Sequence, residues 1–178
     1  DGVEEVVNLV RCAWAGSQRY GVVLWSGDIH SDFETLRIQV RAGLNAGISG
    51  IPWWTTDIGG FFGGDPESAS FRELVVRWFQ YGVFCPIFRI HGFREPTGFS
   101  NASRETGDND VETCGPNELW SFGEETYAIL REYLFLRERL RPYIDEHAAI
   151  ASQRGAPIMR PLFWDFPGDA TAWTVEDQ

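Results

Sequence analysis

Four side chains with acid, base or hydrogen-bonding chemistry occupy the same kind of position in this sequence, just after a short apolar run. In chain order they are Arg11, Asp28, Asp57 and His91. If the runs are parallel strands, their carboxyl ends meet at one edge of the sheet, which is where α/β proteins bind ligands. An arginine fork, two carboxylates and an imidazole suit a neutral, polyhydroxylated ligand. The spacing therefore predicts a ligand site at that edge.

These residues also have structural interpretations. An aspartate after a strand is often a helix cap, but Ser31–Glu34 and Ser70–Glu73 have the capping-box pattern and are predicted to supply the caps. Stabilisation of a turn stays open for both Asp28 and Asp57. A lone histidine such as His91 is more often structural than catalytic, although its place at a strand end favours the site.

The charge balance and the aromatic content narrow the classes of ligand. The 178 residues carry 15 arginines, no lysine and 26 acidic residues, a formal net charge of −11 that would repel phosphate backbones. We therefore exclude nucleic acid as a partner. Aromatic residues make up 15% of the chain. Exposed aromatic faces suit the apolar faces of sugar rings, although most of these residues individually also fit a buried core.

The sequence predicts no metal, no cofactor and no membrane span. Cys12, Cys85 and Cys114 are an odd, widely spaced set without a Cys-x-x-Cys pair, which argues against a disulfide framework and a structural zinc site. Asp108–Asp110 resembles the start of a calcium loop but lacks the glycine and distal glutamate of that loop. The glycines of Gly59–Gly64 match no phosphate-binding fingerprint. No apolar run approaches the roughly 20 residues of a membrane helix.

Short apolar runs that alternate with amphipathic stretches must position the candidate side chains. The runs predict four buried strands, Val6–Val10, Val22–Trp25, Ile48–Trp54 and Pro86–Ile90. Helices are predicted from Ser31 to Gly47, from Ser70 to Gly82, and from Ser121 to Pro142. Pro142 should break or kink the last helix, and a shorter helical stretch should then continue to Ser152. After Gly155 the composition suggests a β element. The alternation predicts a parallel α/β sheet.

Several motifs in fixed order resemble glycoside hydrolase family 31, whose members include α-glucosidases and α-xylosidases with a retaining mechanism. They are Arg11, Trp25-Ser26-Gly27-Asp28, Gly43-Leu44-Asn45, Ser49-Gly50-Ile51-Pro52, Thr56-Asp57-Ile58-Gly59-Gly60-Phe61, Arg89-Ile90-His91-Gly92, Leu136-Arg137 through Arg141-Pro142-Tyr143, and Gly155-Ala156-Pro157 to Phe166-Pro167. No single motif is specific, but together they cover nearly the whole chain.

The resemblance implies a fold and a set of roles. It implies the C-terminal half of a (β/α)8 TIM-type barrel, with residues 1–154 as a partial catalytic domain and 155–178 as the start of a C-terminal β domain. Asp28 would be the general acid/base. The subsite for the terminal sugar of an oligosaccharide or glycoside would be shaped by Arg11, Trp25, Asp57, Phe61 and His91. Trp25, Trp53 and Trp54 are candidate pocket walls, whose desolvation would raise the pKa of a catalytic acid.

The resemblance also implies that one catalytic group is missing. Retaining hydrolysis needs a second carboxylate about 5 to 5.5 Å from the first to attack the anomeric carbon. The family's nucleophile lies in a Trp-x-Asp-Met-Asn-Glu-like segment, and nothing before Arg11 resembles it. The chain also begins with Asp1 rather than Met. We therefore expect a segment of a longer enzyme, inactive alone, whose partner is the remainder of its own catalytic domain.

Two other functions stay open at this stage. Asp28 and Asp57 could together form an inverting hydrolase, which needs carboxylates about 6.5 to 9.5 Å apart. The chain could instead be a non-catalytic carbohydrate-binding or structural module, in which the carboxylates only accept hydrogen bonds. Within the family, Gly50–Asp57 and the bulky aromatics beside it resemble α-xylosidases slightly more than α-glucosidases.

Overall fold

A computed structural model describes residues 6–94 and 115–175. The strands are β1 (Asn8–Val10), β2 (Val22–Trp25) and β3 (Trp54–Thr55). The helices are α1 (Phe33–Ile48), α2 (Ala69–Gly82), α3 (Glu124–Arg154) and the single turn α4 (Leu162–Asp165). Short 3-10 turns occupy Ser17–Tyr20, Leu119–Phe122 and Thr171–Trp173. The predicted alternation of strands and helices is confirmed through α2.

The three strands form one parallel sheet in the order β1-β2-β3. The third predicted strand is shorter than expected because α1 continues to Ile48, Gly50 adopts a positive φ of 82°, and Pro52 has no N–H to donate. The fourth predicted strand is also reduced. It pairs with the loop after β3 through a single parallel bridge between Ile58 and Ile90. It still contacts β3, because the Ile87 N–H donates a hydrogen bond to the carbonyl of Trp54.

The residues that precede the helices differ from those predicted from the capping-box pattern. Asp32 rather than Ser31 caps α1, because its carboxylate accepts a hydrogen bond of 2.6 Å from the Thr35 N–H. This bond lowers the pKa of Asp32 below its usual value. Ser68 rather than Ser70 precedes α2, and Gly123 rather than Ser121 precedes α3, neither with a side-chain cap. Ser31 is therefore free to contact the loop after β3.

Of the break or kink predicted at Pro142, the break is wrong, since α3 runs without interruption to Arg154. A proline inside a helix costs about 3 kcal/mol through a lost hydrogen bond and a clash with the preceding turn. Buried residues lie on both sides of it, with Leu130 in the first half of the helix and Ile144 and Ala151 in the second. Burial of both halves offsets that cost.

The main core lies between α2 and α3. Trp78 and Phe79 of α2 and Leu130 of α3 have no exposed surface. The ring of Phe71 contacts the ring of Phe122 edge-on, with centroids 6.0 Å apart, which joins the start of α2 to the turn before α3. This core holds the helical layer against the sheet and fixes where the strand ends lie.

The segment after α3 departs from the sequence prediction. The described residues between 155 and 175 form α4 and one 3-10 turn instead of the predicted β element. Pro157, Pro161 and Pro167 deprive the segment of three backbone donors, which disfavours strand pairing. Its assignment to a separate β domain stays a prediction. Among the described helices, none is both long and apolar enough to cross a membrane.

Candidate functional site

The carboxyl ends of β1 and β2 bring Arg11 and Asp28 into contact. The two strands are paired in parallel, so residues just after Val10 and Trp25 lie at one edge. A nitrogen of the Arg11 guanidinium lies 2.5 Å from Oδ2 of Asp28. The side chain of Asp28 keeps 25% of its surface exposed, and that of Arg11 keeps 63%. The ion pair orients a carboxylate that a ligand can reach.

Trp25, the last residue of β2, links this pair to the next strand end. Its ring lies under the guanidinium of Arg11, 4.9 Å away, and under that of Arg89, 5.4 Å away. Its indole N–H donates a 2.6 Å hydrogen bond to Oδ1 of Asp57. Cation–π contacts and this bond leave the ring little freedom to rotate. Trp25 is therefore a rigid wall between the two carboxylates.

Asp57 is fully buried at the end of β3. Its Oδ1 accepts hydrogen bonds from Trp25 and from Arg89, each 2.6 Å long. Its Oδ2 is buried without a hydrogen-bond partner among the described residues. A buried acceptor without a donor costs about 1 to 3 kcal/mol. Such an atom is a natural acceptor for a ligand hydroxyl group.

The environment of Asp57 sets its ionisation. Burial raises the pKa of its carboxyl group above the usual value, because the charged form loses hydration. The hydrogen bond from Trp25 and the nearby Arg89 and His91 oppose the rise in this pKa. The negative charge of Asp28 raises the pKa further, so the two carboxylates are close enough to interact.

Two more rings complete the cluster. His91 lies edge-on to Trp25, with ring centroids 6.0 Å apart, and 5.3 Å from the ring of Phe61. The Phe61 N–H donates to the carbonyl of Ile29, which fixes the loop after β3 against the residue that follows Asp28. The structure thus brings all six predicted site residues into one chain of contacts. The roles assigned to them stay predictions.

Strand register explains which residues face the site. In a parallel pair, aligned residues point to the same side and successive residues alternate. Trp25 is aligned with Thr55, two residues before Asp57. Ile58 is aligned with Ile90, so Asp57 and Arg89 share a side, as their ion pair of 2.6 Å shows. The same register turns Trp54 away from the site.

The register therefore excludes one proposed pocket wall, Trp54, while the assignment of Trp53 stays a prediction. Trp54 is 5% exposed and packs with Ala46 and Cys85 in a small core on the helical side. Trp53 lines a separate depression beside α3. Sequence reasoning also missed Arg89 as a member of the cluster. The signal was its position two residues before His91, which places both side chains on one side of an extended segment.

The described residues contain no group of three or more His, Cys, Asp or Glu side chains that could hold a metal ion. The polar atoms of the cluster instead form a set of acceptors and donors between aromatic rings. That arrangement suits hydrogen bonds to hydroxyl groups and contact with a sugar ring.

Comparison with known proteins identifies the family. The family model for the TIM-barrel domain of glycosyl hydrolases family 31 matches residues 1–146. The chain belongs to glycosyl hydrolase family 31. The resemblance expected from the motifs is thus confirmed, together with a barrel-type α/β fold.

Individual relatives agree with this assignment. An α-xylosidase from Saccharolobus solfataricus is 43% identical over 175 residues, which is 98% of this chain and 21% of that protein. An uncharacterised family 31 glucosidase from Pseudescherichia vulneris is 65% identical over 96 residues, 54% of this chain and 18% of the relative. A crystal structure is also similar, that of a family 31 α-xylosidase from a soil metagenome complexed with xylose. It superposes with a TM-score of 0.90 at 58% sequence identity, and the match covers 99% of this chain and 26% of the α-xylosidase chain. This chain thus spans at most about a quarter of these relatives.

Proposed function

We propose that this chain is the later part of the catalytic barrel of a retaining, exo-acting α-glycosidase, with Asp28 as the general acid/base. In this proposal residues 1–154 are the C-terminal half of a (β/α)8 barrel and 155–178 begin a β domain. The family match over residues 1–146 supports that division. The nucleophilic aspartate lies in the remainder of the catalytic domain, which is the partner of this segment.

The different exposure of the two carboxylates carries the proposal. Asp28 is a quarter exposed, whereas Asp57 is fully buried and its Oδ1 already accepts two hydrogen bonds. A general acid/base must reach the glycosidic oxygen and then a water molecule. Only Asp28 of the pair meets that demand. The exposure argues against an inverting hydrolase in which Asp57 activates water.

In the proposed reaction, the residues of the cluster have different roles. Asp28 protonates the departing glycosidic oxygen while the nucleophile attacks the anomeric carbon, and it later takes a proton from the water that releases the sugar. Arg11 orients the Asp28 carboxylate through their ion pair. Asp57 accepts a hydrogen bond from a hydroxyl of the terminal sugar. Trp25, Phe61 and His91 contact its ring and exclude water.

We further propose terminal α-linked xylose as the preferred substrate. The support is the relatives, since proteins named α-xylosidase match at 43% identity by sequence and at 58% in a structure complexed with xylose. Among relatives matched over nearly the whole chain, those named α-glucosidase have lower identity, for example 34% over 173 residues for a Bacillus thermoamyloliquefaciens enzyme. The Pseudescherichia vulneris glucosidase is 65% identical, but over only 96 residues. α-Linked glucose is the second candidate.

The test uses the full-length enzyme that carries this chain, with Asp28→Asn, on paired aryl α-xylosides and α-glucosides. For a leaving group that needs protonation, kcat/KM should fall by roughly 100- to 10,000-fold, as for loss of a general acid. For an activated leaving group such as dinitrophenol, the fall should be much smaller. Added azide should restore turnover and give a glycosyl azide, because it attacks the glycosyl-enzyme without a base.

The matched control is Asp32→Asn, four residues along the chain. Asp32 caps α1, and asparagine caps a helix as well as aspartate does. The kcat/KM of the Asp32→Asn variant should equal that of the wild type. Equal losses for both leaving groups in Asp28→Asn, without azide rescue, would remove Asp28 from the acid/base role. Sugar binding without turnover in the wild-type enzyme would favour the non-catalytic carbohydrate-binding module.

A further inference from the structure

Arg94 is a fully buried arginine three residues after His91. Its Nη1 donates to the carbonyls of Gly60 and Gly63, 2.9 and 3.0 Å away. Its Nε donates to the side chain of Asn117 at 2.9 Å. In the described part of the chain its hydrogen-bond acceptors are neutral oxygens, without a carboxylate. Burial lowers the pKa of Arg94 to about 10, so the side chain is still charged at neutral pH.

The guanidinium joins three segments at the site edge. Besides Gly60 and Gly63, it reaches the Ile58 carbonyl at 3.4 Å, all within the glycine-rich loop 58–63 that carries Phe61. At 3.4 Å it also reaches Oγ of Ser31, three residues after Asp28. The bond to Asn117 adds the segment before α3. Loop 58–63 follows β3, Ser31 follows β2, and Asn117 precedes α3, so one side chain sets the mutual positions of these three segments.

Glycines leave the space that the guanidinium occupies. A Cβ atom at Gly59 would lie 2.8 Å from Nη2 of Arg94, and one at Gly92 would lie 2.6 Å from it. The ring of Phe71 closes the opposite side, 4.9 Å from the guanidinium carbon. The chain thus provides a fitted cavity for a charged side chain. Burying a charge in this way costs free energy that an apolar side chain of similar size would avoid.

We propose that Arg94 is a positioning residue for glycoside hydrolysis, which holds the loop 58–63 so that Asp57 and Phe61 stay correctly placed relative to Asp28. This inference rests on the proposed function of the cluster. The planar guanidinium has five donors in fixed directions, so it can fix several carbonyls at once. A displacement of about 1 Å in a site can lower the rate roughly 100-fold.

The test compares Arg94→Met and Arg94→Lys in the full-length enzyme with Arg137→Met as control. Arg137 is a second partly buried arginine that donates to three backbone carbonyls, those of Val83, Cys85 and Pro86, away from the cluster. We measure kcat and KM for matched aryl α-xylosides and α-glucosides, well below each variant's melting temperature. The ratio of kcat/KM between the two sugars does not depend on how much of the enzyme is folded.

Arg94→Met should lower kcat/KM about 100-fold and change the ratio between the sugars at least fivefold. Arg94→Lys should give a smaller change in the same direction, while Arg137→Met should keep the wild-type ratio. If Arg94→Met does not fold, Arg94→Lys and Asn117→Ala carry the test, because Asn117→Ala removes only the acceptor of Nε. An unchanged ratio in the folded Arg94 variants would overturn the inference.

The failure of this inference is distinguishable from that of the proposed function. If the wild type is active, Asp28→Asn loses activity only on leaving groups that need protonation, and the Arg94 variants match the Arg137 control, then only the positioning role is wrong. If the wild type hydrolyses neither sugar, the proposed function and this inference fall together.

Discussion

Replacing Asp57 by asparagine should separate what this residue does for the substrate from what it costs the fold. The substitution keeps Oδ1, which accepts hydrogen bonds of 2.6 Å from Trp25 and Arg89. It replaces Oδ2, buried and without a partner among the described residues, by an amide nitrogen that can only donate. The shape of the side chain is unchanged, so any effect comes from the lost charge and from the exchange of an acceptor for a donor at this position.

The loss of activity can be worked from that single atom. A hydrogen bond to a charged group contributes about 1.5 to 3 kcal/mol. If a sugar hydroxyl donates to Oδ2 of Asp57 in the transition state, its loss corresponds to a roughly 10- to 150-fold fall in kcat/KM. The fall should be similar for activated and unactivated leaving groups, because Asp57 does not protonate the leaving group.

The effect on stability has a definite pH dependence. Burial raises the pKa of Asp57 in the folded state above the unfolded value of 3.8. The stability that comes with its protonated form is therefore complete below pH 3.8 and is lost as the pH rises to the raised pKa. Asparagine cannot ionise and escapes this loss. The melting temperature of Asp57→Asn should therefore rise relative to the wild type across that interval and stay at least equal at pH 7.

The assay follows both melting temperatures and kcat/KM from pH 4 to pH 7, with Asp32→Asn beside it. The contribution of Asp32 to stability depends on pH in the opposite direction, because its hydrogen bond with Thr35 lowers its pKa. Its stabilising contribution is present above pH 3.8 and lost on acidification. A lower melting temperature of Asp57→Asn at pH 7 would show that the charged bond to Arg89 outweighs the burial cost. A kcat/KM within threefold of the wild type would refute the contact with the sugar.

Two further predictions concern the helical layer. Arg137→Met should lower the free energy of unfolding by about 2 to 4 kcal/mol, because three carbonyls in the segment just after α2 lose a charged donor. By contrast Arg141→Met, which breaks only an exposed ion pair with Glu138, should change the melting temperature little. Burial raises the pKa of the Cys85 thiol to about 12. Alkylation at pH 8, followed by peptide mass spectrometry, should therefore label the exposed Cys12 and leave Cys85 unmodified until the protein unfolds. Labelling of Cys85 in the folded protein would contradict this packing.

Sequence reasoning located the cluster because its strongest signal is local. Each of Arg11, Asp28, Asp57 and His91 follows an apolar run, and parallel pairing then brings the ends of such runs together without further information. The same reasoning misplaced the helix caps. Ser31 and Asp32 both suit a cap in sequence, and the choice between them depends on the loop after β3, where Ser31 lies near Gly63. That contact joins residues 32 positions apart.

Register is the information that the sequence pattern lacked, and it decides which large side chains belong to the site. Trp25 and Trp54 both look like pocket walls, but the pairing of Leu24 with Trp54 turns Trp54 to the helical side and leaves Trp25 beside Asp57. The bridge between Ile58 and Ile90 adds Arg89 to the same side as Asp57. A shift of one residue in either pairing would exchange these sides. The chemistry proposed for the cluster therefore depends as much on the two pairings as on the residues themselves. This dependence is the reason for the positioning role proposed for Arg94, which fixes the loop between the two pairings.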